Sequence, residues 1–263
     1  MIRTGPFFQS LTAAERPSDL KWTHQLLHQS REFTQALCLR YSMCQDKRYQ
    51  GIFAEHAVEE ADHPDQLITW MVKHGFLDGP EAAVQPATPE TVNNLAFCCR
   101  AALRESPDVQ VVALNVLSEG VALDFYTAVM PVLTKLEILS GRYWKVHREV
   151  DAHHLQMGLD RCGEVSPSSP QGQHYQRVLH HSASLYHQML SSWVGVFVEP
   201  LASLRNETAP RLARGTHIEL PANATPIVTP IDALAPVVAA AAAPLATVVD
   251  PPSSPTTKPV ASC

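Results

Sequence analysis

Three side chains of metal-ligand type recur at helical spacing in YWKVHREVDAHHLQMGLD, residues 143–160. His147, Asp151 and His154 stand at i, i+4 and i+7. At about 100° per residue Asp151 lies roughly 40° to one side of His147, and His154 about 20° to the other, so all three share one helix face. Val146, Val150 and Met157 lie near that face, which directs it inward. An aspartate buried between two histidines carries a large desolvation cost unless a cation shares the site. A metal ion removes that cost and uses all three side chains.

A second helical segment, FAEHAVEEADHP at 53–64, places His56, Glu60 and His63 on one face by the same spacing. Glu60-x-x-His63 is the separation by which helical bundles present a carboxylate and an imidazole to one metal. Glu55, Glu59 and Asp62 point elsewhere and are expected to be solvated. A third segment, VQVVALNVLSEGVALDFYTAV at 109–129, holds Glu119 as a lone acid in an apolar run, and such a carboxylate needs a partner. Gly120 beside it admits close packing. Asp124, five residues on, falls off that face and belongs to the rim. Glu60, His63, Glu119, His147, Asp151 and His154 therefore form a candidate metal site of three carboxylates and three imidazoles. Against two Fe(II) ions the carboxylates leave a nearly neutral cluster, the ligand set expected of O2 activation at a non-haem dinuclear site.

The elements that must position these residues are helices. Apolar periodicity and punctuation predict helices over 17–46, 48–75, 89–105, 107–137, 140–161 and 171–198, with little strand signal. Pro17 opens the first, Thr88-Pro89 the third and Ser106-Pro107 the fourth; Gly75 and the DGP at 78–80 close the second. The expectation is an all-α bundle of about six to seven helices. Composition changes near residue 205, where a segment carrying ten of the 21 prolines begins. Proline at that density breaks helices, so residues 1–204 are read as the folded domain and 205–263 as a disordered Pro/Ala-rich tail. Residues 227–249 are long enough to span a bilayer, but three prolines and Asp232 argue against it. A formal charge of −6 excludes a nucleic-acid footprint, and six cysteines without a CxxC pair read as cytosolic thiols. A leader peptide is not expected from the N-terminal residues.

HAVEEADH at 56–63, LSEG at 117–120 and the HxxxDxxH element at 147–154 resemble the haem-oxygenase-like diiron oxidases and oxygenases, a TenA/PqqC-like helical fold. The resemblance covers about residues 17–200. It implies that Glu60, His63, Glu119, His147, Asp151 and His154 are iron ligands with Glu119 as the bridge, that two Fe(II) ions are the cofactor, and that O2 is a co-substrate. It implies N-oxygenation, desaturation or oxidative C–C cleavage of a small amino-acid-derived or fatty-acid substrate in a biosynthetic pathway. Some members carry the second-helix carboxylate seven residues before the histidine, where this chain has His56; it could be a ligand, a second-shell donor or a pocket residue.

The alternatives are a metal-free enzyme of the same fold, which would need a nucleophilic cysteine, and a non-catalytic binding protein. Single residues carry blander readings beside the sharp ones. His24 stands where a haem ligand would, but reads as structural. His153 is expected to be exposed. His180 and His187 share a face of the last helix, where solvated histidines are favoured over a second metal site. Phe53, Trp70, Phe125, Tyr126 and Met157 either line a pocket or pack the core. Arg40, Arg142 and Arg148 are the candidate partners for a substrate carboxylate. A cytoplasmic enzyme, possible as a homodimer, with a small-molecule substrate and neither nucleic acid nor membrane as partner completes the expectation.

Overall fold

The computed structural model describes residues 2–201, the side chains of residues 148 and 149 excepted. The tail expected to be disordered, and the apolar stretch at 227–249, lie outside the described residues. Those described form an all-α bundle with no strand among them. After a short helical turn at Pro6–Ser10, seven helices follow: α1 Thr23–Met43, α2 Lys47–Glu60, α3 His63–Lys73, α4 Pro89–Arg104, α5 Pro107–Lys135, α6 Arg142–Cys162 and α7 Pro170–Ser192.

Local chemistry sets the boundaries. The Asp46, Thr88 and Ser169 side chains accept from backbone N–H groups in the first turns of α2, α4 and α7, satisfying donors that a helix start leaves free. Pro89, Pro107 and Pro170 sit where a missing N–H costs nothing. The segment 48–75, expected as one helix, breaks at Ala61–Asp62. Pro64 explains the break: it offers no N–H, and its ring would meet the carbonyl four residues back, that of Glu60. Glu60 therefore closes α2 and His63 opens α3.

α5 was expected as a regular helix, but Val112–Leu117 is wound as a π-turn directly before Ser118 and Glu119. α6 packs against both this turn and the rest of α5, while α1 packs on α2 and α4. The close approach is at Gly158 of α6, where a Cβ would stand 2.7 Å from Asn115 Cβ. Gly120, expected to admit close packing, is not that contact: a Cβ there would meet only Leu155 at 3.9 Å, an ordinary contact. Pro107–Lys135 is long and apolar enough to cross a membrane. Val111, Leu114, Phe125, Val129 and Leu133 of this helix are buried in the bundle, while Val116, Leu123, Met130 and Val132 are half-buried.

Candidate metal centre

α6 turns Tyr143, Trp144, His147, Asp151, His154 and Gly158 inward as one buried stripe. The face is inward as expected, but Val146, Val150 and Met157 only flank it, half-buried. Opposite the stripe stand Glu60 and His63 from either side of the α2–α3 break, and Glu119 just past the π-turn. All six sequence-predicted residues are buried. Five of them fall into two buried groups whose potential ligand atoms lie within 4.8 Å of one another: Glu60, His63 and His147, and Glu119 and His154 together with His56, while Asp151 belongs to neither. The rings of His63 and His147 are centred 4.3 Å apart, those of His56 and His154 4.0 Å apart.

The hydrogen bonds orient these side chains. Nδ1 of His63 meets Glu60 Oε2 at 2.7 Å, and Nδ1 of His147 meets Asp151 Oδ1 at 2.9 Å. Among the described residues eleven buried side-chain atoms have no hydrogen-bond partner, and four of them belong to this cluster: Glu60 Oε1, His147 Nε2, Asp151 Oδ2 and His154 Nδ1. A native interior leaves few such atoms, and each costs about 1–3 kcal/mol. These four of the eleven sit on sequence-predicted ligands, and each is the kind of atom that coordinates a metal. Glu60 Oε1 lies 3.6 Å from His154 Nδ1 while Oε2 faces His63. It is thus Glu60 whose two oxygens face both groups. Glu119, the bridge implied by resemblance, has Oε1 tied to His56 at 2.9 Å and Oε2 3.8 Å from His154 Nδ1.

Burial dominates the electrostatics. It pushes Asp151 well above the carboxylate range and Glu119 up to about 8, and holds His147 down to about 3. Glu60 and His63 overcome burial through their mutual hydrogen bond, the acid falling and the imidazole rising. His154 likewise overcomes burial and rises to about 9 through Glu119, Glu60 and Glu59. Glu59 corrects the sequence reading: it is not merely solvated, because Oε2 reaches His154 Nε2 at 2.7 Å from the surface. A carboxylate on the outer nitrogen of an imidazole leaves its inner nitrogen as the ligand atom.

A cavity opens beside the centre. Glu60, Glu119, His147 and Asp151 form its polar end, and Leu26, Ala122, Phe125, Met189, Leu190 and Trp193 its apolar end. Tyr126 and Tyr143 also line it, their hydroxyls 2.6 Å apart and the Tyr126 ring stacked 4.3 Å over His147. Of the proposed pocket residues, Phe125 and Tyr126 do line it. Phe53 instead lies under Arg40, Trp70 packs against Phe76 and Trp144, and Met157 is no part of the lining. No lysine or arginine side chain lines it among the described residues. Arg40 sits behind His56, Arg142 pairs with Asp62 at the surface, and the Arg148 side chain is outside the described set. Asp124 pairs with Arg3, which fits a rim residue. His24 receives the Gln85 N–H and lines no part of the cavity.

The fold and this cluster define a class. A family of iron-containing redox enzymes matches residues 20–187, and the chain belongs to it. No curated protein matches the sequence. Among the solved structures that share the fold are two from bacteria. A domain of unknown function with a heme oxygenase-like fold from Shewanella denitrificans is 18% identical with a TM-score of 0.57, over 73% of this chain and 85% of that one. A TenA homolog from Pseudomonas syringae pv. tomato is 13% identical with a TM-score of 0.59, over 74% of this chain and 87% of that one.

Proposed function

We propose that this protein is a non-haem diiron enzyme, cytoplasmic and biosynthetic. It would use O2 to oxidise a small amino-acid-derived or fatty-acid substrate by N-oxygenation, desaturation or oxidative C–C cleavage. The observation that supports it is the set of four orphaned ligand atoms on Glu60, His147, Asp151 and His154, buried beside an apolar cavity. Glu60, His63 and His147 would hold one ion, Glu119 and His154 the other, with Asp151 beside His147. When bound, the ions supply electrons and Lewis acidity for O2 chemistry.

The chain supplies the rest. Its buried ligands exclude water, and Asp151 fixes His147 with Nε2 turned inward. The Tyr126 and Tyr143 hydroxyls stay protonated, because burial pushes both phenols up, and they offer a donor at the polar end of the cavity. The apolar end suits an aliphatic or aromatic body. With no cation in the described lining, a substrate carboxylate has no ion-pair partner there, so its polar head belongs at the metal end.

The metal-free alternative needs a nucleophilic thiol. Burial instead pushes Cys98 up to about 12 and raises Cys38, Cys99 and Cys162, and no cysteine among the described residues lines the cavity. An O2-electrode screen of iron-loaded protein over amino acids and fatty acids tests the proposal. Substrate-dependent uptake is expected, and its absence across both classes would overturn the substrate assignment.

A further inference from the structure

Behind Glu119 lies a chain of buried polar groups that the six candidate ligands leave unexplained. Arg40, His56 and Asn115 are all wholly buried. Arg40 Nη1 donates to Asn115 Oδ1 at 2.7 Å, and Nη2 donates to His56 Nδ1 at 2.9 Å. Asn115 Nδ2 lies 3.0 Å from the same Nδ1. On the other edge of the ring, His56 Nε2 stands 2.9 Å from Glu119 Oε1.

These contacts fix where the protons are. A guanidinium has donors only, so the Asn115 atom facing Nη1 is its oxygen and its amide nitrogen faces the imidazole. Nδ1 of His56 then receives two N–H groups and is an acceptor. A neutral imidazole whose Nδ1 accepts carries its proton on Nε2, and that proton points at Glu119. His147 is arranged the opposite way. Its Nδ1 faces Asp151 Oδ1, and its Nε2 is left without a partner.

We propose that His56 is not a metal ligand but the positioning residue for Glu119, locked by Arg40 and Asn115 as the tautomer whose Nε2–H donates to Glu119 Oε1. This rests on reading the cluster as a metal centre. Distance alone does not separate the two roles, since a ring nitrogen of His56 also lies within 4.8 Å of potential ligand atoms of Glu119 and His154. The proton does. To bind a metal, Nε2 would have to surrender the ring's last proton. Otherwise the ring would have to turn and strand two buried donors, beside an Arg40 Nε that already lacks a partner. Arg40 has no carboxylate within 4.0 Å among the described residues, so the polarised imidazole carries its charge to Glu119. The π-turn puts Asn115 into this relay four residues before Glu119.

The test is the tautomer, read by NMR of histidine-labelled (15N) full chain, metal-free and loaded with diamagnetic Zn(II), with His56 assigned by its loss in His56→Gln. The expected result is that Zn(II) shifts the His63, His147 and His154 rings while His56 keeps a protonated Nε2. A deprotonated, metal-shifted His56 Nε2 overturns the proposal. If none of the four rings responds, the metal centre itself is refuted and the proposal falls with it, a pattern distinct from a shifted His56. A second arm uses Zn(II) affinity. His56→Gln, whose amide replaces the donor, should bind within about threefold of the wild-type protein, whereas His56→Leu should bind roughly 10–100-fold more weakly. Equal losses in both would mean that His56 is a ligand.

Discussion

Replacing Asp151 with asparagine separates a metal ligand from an ordinary buried polar group. Asp151 is wholly buried, with one oxygen on His147 Nδ1 at 2.9 Å and the other without a partner. In metal-free protein, Asp151→Asn keeps the acceptor for His147 and removes a buried ionisable group. The orphaned oxygen alone costs about 1–3 kcal/mol, and the new amide nitrogen reclaims part of that. The variant should therefore be more stable than the wild-type chain without metal, by about 0.5–1.5 kcal/mol, or roughly 1–6 °C in Tm for a domain of this size. Fe(II) reverses the order. At a hundred times Kd it adds about 2.7 kcal/mol to the wild-type protein, roughly 5–11 °C. If the variant binds about a hundredfold more weakly, the same iron adds only ~0.4 kcal/mol. Anaerobic calorimetry of both proteins, with chelator and then with Fe(II), measures all four values. A metal-free Asp151→Asn several kcal/mol less stable than wild type, with an undiminished iron shift, would refute the reasoning.

Metal-free protein should lose stability as pH rises from 6.5 to 8. Folded Glu119 at about 8, His154 at about 9 and the raised Asp151 keep protons there that the unfolded chain has released. His147, at about 3 against an ordinary 6.5, acts in the opposite sense only below that window. The slope has an upper bound of about 1.4 kcal/mol per pH unit per extra proton, and iron should flatten it; a flat metal-free Tm by calorimetry would contradict the shifts. Glu59→Gln should weaken Fe(II) binding about 10-fold by loosening His154, measured by anaerobic titration, and unchanged affinity would mean that the contact does no orienting. Ala122→Leu should fill the apolar end of the cavity, abolishing substrate-dependent O2 uptake while iron content stays at the wild-type level; unimpaired uptake would place the substrate elsewhere.

Periodicity was enough to place most helices and to bring Glu60, His63, Glu119, His147, Asp151 and His154 toward one interior, because ligand spacing and burial face follow the same 3.6-residue repeat. What it missed depends on departures from that repeat. The break before Pro64 turns Glu60 and His63 toward each other from two helices, although a proline so placed signals it. The π-turn at Val112–Leu117 rotates Asn115 toward His56 with no residue type to mark it. Glu59 looked solvated because half of it is, and only the tertiary fold shows its tip on His154. Arg40 was legible in part: Phe33, Ala36, Leu37 and Arg40 form one buried face of α1, a charge on an apolar stripe that demanded a partner.

Anaerobic Fe(II) titration of metal-free protein, with bound iron counted per chain, tests the central claim most directly. Two buried ligand groups, with Glu60 facing both, predict saturation near two irons per chain. Each of Glu60→Ala, His147→Ala and Asp151→Ala should lower that number while far-ultraviolet circular dichroism stays helical. Saturation at zero or one, or full retention of iron in all three variants, would contradict the account.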